Sequence, residues 1–207
     1  MFFSFDGIDG SGKSTQMELF CDWLSVQKGL EVVRCREPGG TPLGERVREI
    51  LLNEKNVRLD LEAEMFLFMA SRSQLVTEVI SPALAANKVV VCDRFLMASV
   101  VYQGHAGGID PGLVRSVGDI AVNGTYPDLT FVFGLDPVVA AKRVGQDTDR
   151  FESRSQDFLS KVNAGFVNEA ARDGVCAELV DAERPIEVIQ KQIQQAAERL
   201  LIRGNTD

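Results

Sequence analysis

Residues 7–14 constrain the fold of this chain more than any other segment, because they match a pattern that requires a particular local structure. They read Gly-Ile-Asp-Gly-Ser-Gly-Lys-Ser and fit the phosphate-loop pattern G-x-x-x-x-G-K-S/T. An apolar run at 1–5 precedes the loop and predicts a buried strand, and apolar residues at helical spacing follow it. Strand, loop and helix in this order are the context that the pattern needs. The alternative is a glycine-rich turn that matches by chance.

The loop also indicates which ligand atoms the chain binds. Its glycines let the backbone approach phosphate oxygens closely, and a helix that begins near Lys13 adds the positive end of its dipole. We expect Lys13 to reach the β- and γ-phosphates of a nucleotide, and the Ser14 hydroxyl to bind Mg²⁺. The sequence therefore predicts a phosphate-binding site at this loop.

Strand and helix patterns alternate along the whole chain of 207 residues. The candidate strands are 2–6, 31–36, 89–93, 130–134 and 176–180. The candidate helices are 14–27, 43–52, 61–86, 110–122, 137–144, 155–172 and 185–201. Several strands are almost continuous apolar runs, which is typical of parallel strands covered on both faces. We therefore predict an α/β fold in a single domain over 1–207, with a three-layer, doubly wound, five-stranded parallel sheet and ligands at the carboxyl ends of the strands.

Composition limits the partners of the chain. The net charge of −8, from 22 basic and 30 acidic residues, argues against a general nucleic-acid surface or an anionic membrane surface. The four cysteines lack metal-ligand spacing, so we expect buried thiols in a reducing cytosol. His105 is the only histidine, which argues against a histidine-built metal site or a Ser-His-Asp triad. The apolar N-terminal run is short and has no basic region before it, so it does not predict a signal peptide.

Polar clusters follow three of the candidate strands. The first is the phosphate loop, the second is Arg-Glu-Pro-Gly-Gly-Thr at 36–41, and the third is Asp93-Arg94. Taken alone, 38–40 could form only a turn and Asp93-Arg94 only a surface ion pair. The carboxyl ends of parallel strands lie side by side, so we expect the three clusters to converge. Arginines there suit a phosphate-bearing acceptor, because the planar guanidinium makes bidentate contacts and keeps its charge.

Two other arginines have a role that the sequence leaves open. Arg72 ends a mostly apolar helical stretch that begins at Glu64. A buried arginine must pair with another group or touch a ligand. Considered alone, Arg72 favours the other interpretation, in which its aliphatic side chain is buried and its guanidinium reaches solvent. The segment 144–152 separates two helical patterns and places Arg150 between two acidic residues. It is either a solvated loop or a mobile lid over the phosphates.

Together these motifs resemble those of the thymidylate kinase family. The resemblance covers nearly the whole chain, and the motifs come in family order at 6–15, 36–41, 68–72, 93–94, 102–104 and 149–152. Arg-Glu-Pro-Gly-Gly combined with Tyr-Gln-Gly is specific, whereas other nucleoside monophosphate kinases share only the phosphate loop and Asp-Arg. The resemblance implies a P-loop nucleoside monophosphate kinase fold. It also implies phosphorylation of dTMP to dTDP by ATP and Mg²⁺, within dTTP biosynthesis, by a cytoplasmic homodimer packed through helices.

The same resemblance assigns residues to ATP, to the metal and to catalysis. The implied ATP-binding residues are Gly7, Ile8, Asp9, Gly10, Ser11, Gly12, Lys13, Ser14, Thr15 and Arg143. The implied catalytic residues are Asp9, Lys13, Arg94 and Arg150. Ser14 would bind Mg²⁺ directly and Asp93 would bind it through water. Glu37 and Asp93 would support the loops that hold the metal and the phosphates.

The dTMP site is carried over in the same way. Its implied residues are Asp9, Glu37, Arg48, Phe68, Arg72, Arg94, Ser99, Tyr102 and Gln103. On the phosphate and sugar side, Arg94 and Arg48 would hold the dTMP phosphate and Asp9 would lie near the 3′-hydroxyl. Tyr102 would crowd the 2′ position and disfavour a ribose.

On the base side, the resemblance implies that Phe68 stacks on thymine while Arg72 and Gln103 hydrogen-bond to its edge.

The implied phosphoryl transfer depends on bringing two anions together and stabilising the charge on the moving phosphoryl group. A glycine follows Asp9, so the chain resembles the bacterial-type group, which supplies the catalytic arginine from the lid. Arg150 is the leading candidate for that arginine and Arg143 is the second.

The sequence departs from the family pattern at a few positions, and two other functions stay open. The lid is shorter and less basic than is usual, Phe95 and Ala98 stand where polar residues are common, and Asp6 stands where glutamate is usual. One alternative is a related kinase with another nucleotide acceptor. The other is a P-loop protein that binds nucleotide without catalysis.

Overall fold

The computed structural model describes residues 1–54, 56–143 and 155–203. Within these residues, five strands form one parallel sheet in the order β2-β3-β1-β4-β5. The strands are β1 (Phe2–Gly7), β2 (Val32–Arg36), β3 (Val89–Asp93), β4 (Leu129–Gly134) and β5 (Ala177–Asp181). The α/β class and the five-stranded parallel sheet predicted from the sequence are confirmed.

Helices connect the strands and cover both faces of the sheet. They are α1 (Lys13–Asp22), α2 (Pro42–Arg48), α3 (Leu61–Leu75), α4 (Ser81–Ala85), α5 (Leu96–Ser99), α6 (Pro111–Val122), α7 (Pro137–Arg143), α8 (Gln156–Ala170) and α9 (Ile186–Arg203). Four π-helical segments extend them: Trp23–Gln27 after α1, Glu49–Asn53 after α2, Val76–Ile80 between α3 and α4, and Val100–Ala106 after α5. Across the described ranges, no helix is both long enough and apolar enough for a membrane span.

The sheet is apolar on both faces because each face has its own helical cover. On one face, Phe3 of β1 packs edge-on against Phe20 of α1, with ring centroids 5.2 Å apart. On the other face, Phe2 packs edge-on against Phe95, which directly precedes α5, at 5.0 Å. Alternate residues of a strand point to opposite faces, so a strand buried on both sides contains a continuous apolar run.

Helix boundaries follow their local chemistry. The Thr41 hydroxyl caps α2 by accepting a hydrogen bond from the backbone N–H of Gly44 at 2.9 Å, and Pro42 occupies the first turn. Gly29 and Asn87 have φ of 65° and 58° just after helical segments, in the left-handed region that commonly terminates helices. At these positions the boundaries of the predicted helices 14–27, 43–52 and 61–86 agree with the structure to within one residue.

The helix at 96–106, formed by α5 and its π-helical extension, was missing from the sequence-based prediction. Most of it is buried, and Ser99, Val101 and Gln103 have at most 2% of their surface exposed. A helix surrounded by protein has no polar face, so its sequence lacks the apolar stripe that identifies surface helices. This helix packs against α6 and α8 and carries three of the predicted substrate-binding residues.

Candidate active site

The three predicted polar clusters converge at the carboxyl edge of the sheet. In the strand register, Asp93 lies beside both Phe5 and Arg36. Backbone hydrogen bonds join the segments that leave these strands: Arg94 N–H donates to the Phe5 carbonyl and Glu37 N–H to the Asp93 carbonyl, both at 2.9 Å. The phosphate loop, 36–41 and 93–94 therefore surround one site.

Glycine is required where the phosphate loop begins. Gly7 has φ 137°, and a Cβ built there would lie 2.6 Å from the backbone oxygen of Phe133 on β4. Gly10 and Gly12 also adopt positive φ, of 77° and 85°, and Gly12 is the N-cap of α1. These conformations are strained for residues with a side chain, so the loop geometry depends on its glycines.

The Lys13 ammonium is buried within the phosphate loop. It donates hydrogen bonds to the carbonyls of Gly7 and Ile8, both at 2.9 Å, and lies 3.7 Å from a carboxylate oxygen of Asp9. Burial, reinforced by the positive charge of Arg94, lowers the pKa of Lys13 to about 8. Ser14 and Thr15 follow it in the first turn of α1 with exposed side chains.

Asp9 and Arg94 connect the phosphate loop to the neighbouring pocket. Arg94 Nη2 donates to Asp9 Oδ1 at 2.6 Å, while its Nη1 donates to the Gly7 carbonyl at 2.9 Å. Burial disfavours a charged Asp9, but Arg94 and Lys13 overcome this effect and hold the pKa of Asp9 below its ordinary value. Arg94 has φ 66°, a left-handed conformation that is uncommon for residues other than glycine and that often occurs at functional sites. Its guanidinium lies over the Tyr102 ring, 5.3 Å from the centroid.

A pocket of about 210 Å³ opens beside Arg94. Ten of the residues predicted for substrate, catalysis or metal line it: Asp9, Glu37, Arg48, Phe68, Arg72, Asp93, Arg94, Ser99, Tyr102 and Gln103. Arg36 and Pro38 of the predicted 36–41 cluster also line it, as do Leu52 and Ala98, which were not predicted as site residues. All nine residues predicted for the dTMP site are therefore neighbours in space.

Arg72 and Glu37 form a buried ion pair behind this pocket. Arg72 is 1% exposed, and its Nε and Nη2 donate to Glu37 Oε2 at 2.8 and 2.5 Å. Arg72 Nη2 also donates to the Phe95 carbonyl and to the Ser99 hydroxyl. Burial raises the pKa of Glu37, and the attraction of Arg72 opposes that rise. The interpretation of Arg72 as reaching solvent is wrong, because α3 directs it towards β2 and the 96–106 helix.

The same convergence corrects the interpretation of Asp93-Arg94 as only a surface ion pair. Arg94 pairs across the site with Asp9, and the two residues lie in the wall of the pocket. Asp93 lies at the end of β3, and its Oδ1 is buried without a hydrogen-bond partner among the described residues. Arg48 Nη1 donates to the Pro38 carbonyl at 2.8 Å, which fixes α2 against the 36–41 segment.

The predicted ATP side is only partly described. Arg143 lies at the end of α7, and its Nη1 donates to the Ala182 carbonyl after β5 at 3.2 Å. It is therefore close to the carboxyl end of β5 and is not among the residues that line the 210 Å³ pocket. The predicted lid at 144–152, with Arg150, lies outside the described residues.

Two side chains of the site offer oxygen atoms to a metal ion that also binds substrate phosphates. The described ranges contain no group of three or more His, Cys, Asp or Glu side chains arranged to bind a metal ion. Ser14 offers an exposed hydroxyl beside the loop, and Asp93 offers a carboxylate oxygen that has no hydrogen-bond partner within the described ranges. Such a sparse set of oxygen donors fits Mg²⁺, which keeps several waters and binds substrate phosphates alongside one or two protein groups.

Glu64 is a buried residue of this region to which the sequence analysis gave no role. It lies on α3 and accepts a hydrogen bond from Gln103 Nε2 on the 96–106 helix at 2.9 Å. The available signal was an acidic residue in a mostly apolar helical stretch, since a buried carboxylate requires a partner. The partner itself could not be identified, because Gln103 is separated from Glu64 by 39 positions in the sequence.

The chain is similar to known proteins over nearly its whole length. The family model described as Thymidylate kinase matches residues 5–193. The thymidylate kinase of Symbiobacterium thermophilum is 40% identical over 204 residues, which cover 98% of this chain and 95% of the relative. That of an Exiguobacterium species is 44% identical over 196 residues, covering 93% and 92%. The crystal structure of thymidylate kinase from Ehrlichia chaffeensis superposes with a TM-score of 0.77 at 32% identity, covering 95% of this chain and 98% of that one.

Proposed function

This chain belongs to the thymidylate kinase family and phosphorylates dTMP to dTDP with ATP, and we propose that the phosphate loop, the Asp9–Arg94 pair and a lid arginine, Arg150, carry out the transfer. The reaction is a step of nucleotide biosynthesis. The observation that carries the residue assignment is the 2.6 Å contact between Asp9 and Arg94, which joins the loop to the acceptor pocket.

The mechanism follows from the charges of the two substrates. The attacking oxygen already belongs to a phosphate, so the enzyme needs positioning and electrostatic stabilisation more than a strong base. The Lys13 ammonium, which in this structure donates to the carbonyls of Gly7 and Ile8, would turn towards the β- and γ-phosphates of ATP. Arg94, fixed by Asp9 and Gly7, holds the dTMP phosphate in line with the transferring group and offsets the repulsion between the two anions.

Other residues of the pocket contact the phosphate, the sugar and the base of dTMP. Arg48 assists Arg94 at the phosphate, and Asp9 lies near the sugar 3′-hydroxyl. Tyr102, already against Arg94, crowds the 2′ position. On the base side, Phe68 stacks on thymine while Arg72 and Gln103 meet its polar edge. Glu37 and Ser99 orient Arg72 through the hydrogen bonds described above.

Mg²⁺ accompanies ATP in this proposal. The Ser14 hydroxyl would bind the ion directly and Asp93 would bind it through water, a role supported by the Asp93 oxygen that has no hydrogen-bond partner among the described residues. When bound, the ion would neutralise charge on the β- and γ-phosphates.

The lid assignment is tested by Arg150→Ala, with Arg143→Ala as the second candidate. A catalytic arginine contributes roughly 10³- to 10⁵-fold to related phosphoryl transfers, so its loss should lower kcat far more than it weakens ATP binding. If Arg150→Ala leaves kcat unchanged while Arg143→Ala lowers it, Arg143 supplies the charge.

We further propose that the chain folds as a single domain and forms a homodimer in the cytoplasm. Phe66 on α3 and Leu113 and Ile120 on α6 are exposed apolar residues, Ile120 at 80%, and α3 packs against α6. Large apolar side chains exposed on adjacent helices suit a helix-packed dimer. Cys21, Cys35 and Cys92 are buried free thiols, which suits a reducing compartment. Cys176 is exposed, so the expectation that all four thiols are buried is wrong for this residue. Light scattering of the purified chain gives the oligomeric state directly.

The acceptor is tested by ADP release from ATP and Mg²⁺ with dTMP, dUMP, dCMP, AMP, GMP and thymidine. Strong preference for dTMP is the expected result. Turnover with a different acceptor would retain the phosphate chemistry and refute the base-side assignments. Binding of ATP without turnover of any acceptor would favour a nucleotide-binding protein that does not catalyse the transfer.

A further inference from the structure

The side-chain amide of Gln103 is held in one orientation from behind the pocket. Gln103 is 1% exposed and lines the pocket, while Glu64 is 3% exposed and contacts it from α3. Gln103 Nε2 donates to Glu64 Oε1 at 2.9 Å. Gln103 Oε1 is buried and has no hydrogen-bond partner among the residues that the structure describes. One N–H of the amide is therefore engaged, while the amide oxygen has no partner within the described residues.

Glu64 determines which end of the amide faces its carboxylate. A carboxylate accepts hydrogen bonds, whereas an amide carries a donor NH₂ and an acceptor oxygen at nearly equivalent positions. Rotating the amide by half a turn would place its oxygen against Glu64 Oε1, so that two acceptors would face each other in a buried site. The free-energy cost of that arrangement fixes the NH₂ towards Glu64.

An amide oxygen presented to a pyrimidine selects for one kind of base edge. Thymine and uracil carry a hydrogen at N3 and can donate to this oxygen, whereas neutral cytosine has an unprotonated N3 that also accepts. Building on the proposed dTMP site, we infer that Glu64 is a positioning residue that orients the Gln103 amide and thereby selects thymine-type over cytosine-type acceptors. Arg72, a donor lining the same pocket, complements this choice at the neighbouring carbonyl of thymine.

The first test is Glu64→Gln, which keeps the size of the side chain. A glutamine at 64 can donate or accept, so the Gln103 amide can adopt either orientation. We expect the ratio of kcat/KM for dTMP to that for dCMP to fall roughly 10- to 100-fold, the range of an unsatisfied buried hydrogen bond. The ratio for dTMP to dUMP should stay constant, because both bases carry the N3 hydrogen. A general disturbance of the pocket would not separate the two ratios.

The matched control is Glu62→Gln, an exposed glutamate on the same helix, which should leave both ratios unchanged. Urea unfolding of each variant establishes that the measured protein is folded. Failure of the inference is distinct from failure of the proposed function. If the wild type phosphorylates dTMP and Glu64→Gln retains the wild-type dTMP-to-dCMP ratio, Glu64 does not orient the amide. If the wild type does not use dTMP, the proposed function itself fails.

A reciprocal exchange sharpens the test. In the double variant E64Q/Q103E, the amide and the carboxylate change places without a change in size. The new amide at 64 donates to the new carboxylate at 103, whose other oxygen still faces the pocket as an acceptor. Selection against dCMP should recover at least about tenfold over E64Q alone. A double variant no more selective than E64Q would overturn the proposed orientation mechanism.

Discussion

Asp6 allows a quantitative test of the electrostatics beneath the phosphate loop. Its carboxyl is completely buried, and within the described ranges neither oxygen has a hydrogen-bond partner. Burial raises its pKa from 3.8 to about 7, despite the attraction of Arg94 and Lys13. The folded state therefore binds this proton more tightly than the unfolded chain does. The stability contributed by the neutral carboxyl is complete below pH 3.8 and is lost as the pH rises through about 7.

The perturbation is Asp6→Asn, which stays neutral at every pH. The whole shift from 3.8 to about 7 corresponds to ~4 kcal/mol, and roughly half of it develops between about pH 5.5 and 8.5. Relative to the wild type, the variant should thus gain about 2 kcal/mol of unfolding free energy across this interval. The cost of burying the new amide does not vary with pH, so it cancels when only the change with pH is compared.

The assay is urea unfolding of both proteins at several pH values and one protein concentration, because self-association would change the apparent stability. Asp22→Asn is the matched control, since Asp22 is exposed on α1 and its carboxylate stays in water. A stability difference between wild type and Asp6→Asn that is as flat with pH as that for Asp22→Asn would show that the pKa of Asp6 is not raised by folding.

Three further predictions concern the loop and the pocket. Arg94→Ala should lower kcat/KM for the acceptor by about 10³-fold in steady-state kinetics, and a smaller loss than tenfold would contradict its catalytic role. Gly7→Ala should strongly lower the melting temperature, because the added Cβ would lie 2.6 Å from a backbone oxygen. The control Gly134→Ala should not, because a Cβ there would be 3.8 Å from the nearest atom. Equal melting temperatures for the two variants would contradict this prediction. Glu37→Gln should cost about 3 kcal/mol in urea unfolding because it leaves Arg72 buried without its counter-charge. Glu45→Gln, which breaks the exposed pair with Arg36, should cost less than about 1 kcal/mol, and similar losses would contradict the distinction.

Features that depend on local pattern could be predicted from the amino-acid sequence alone. The phosphate loop was recognisable because its glycines, lysine and serine stand at fixed spacing, and the strands because burial on both faces requires continuous apolar residues. The convergence of 36–41 and 93–94 on the loop followed from the parallel order of the strands. The residues predicted for the dTMP site came from the family resemblance, and the structure gathers them around one pocket.

The pairing of polar groups, in contrast, depends on how distant elements pack and could not be predicted from the sequence. Asp9 pairs with Arg94 across 85 positions, Glu37 with Arg72 across 35, and Glu64 with Gln103 across 39. The 96–106 helix, which supplies Ser99, Tyr102 and Gln103, shows no helical stripe because most of it is buried. Periodicity reports the side of an element that faces solvent, whereas the identity of a buried partner depends on how distant elements pack. The orientation of the Gln103 amide is therefore a property of the folded chain.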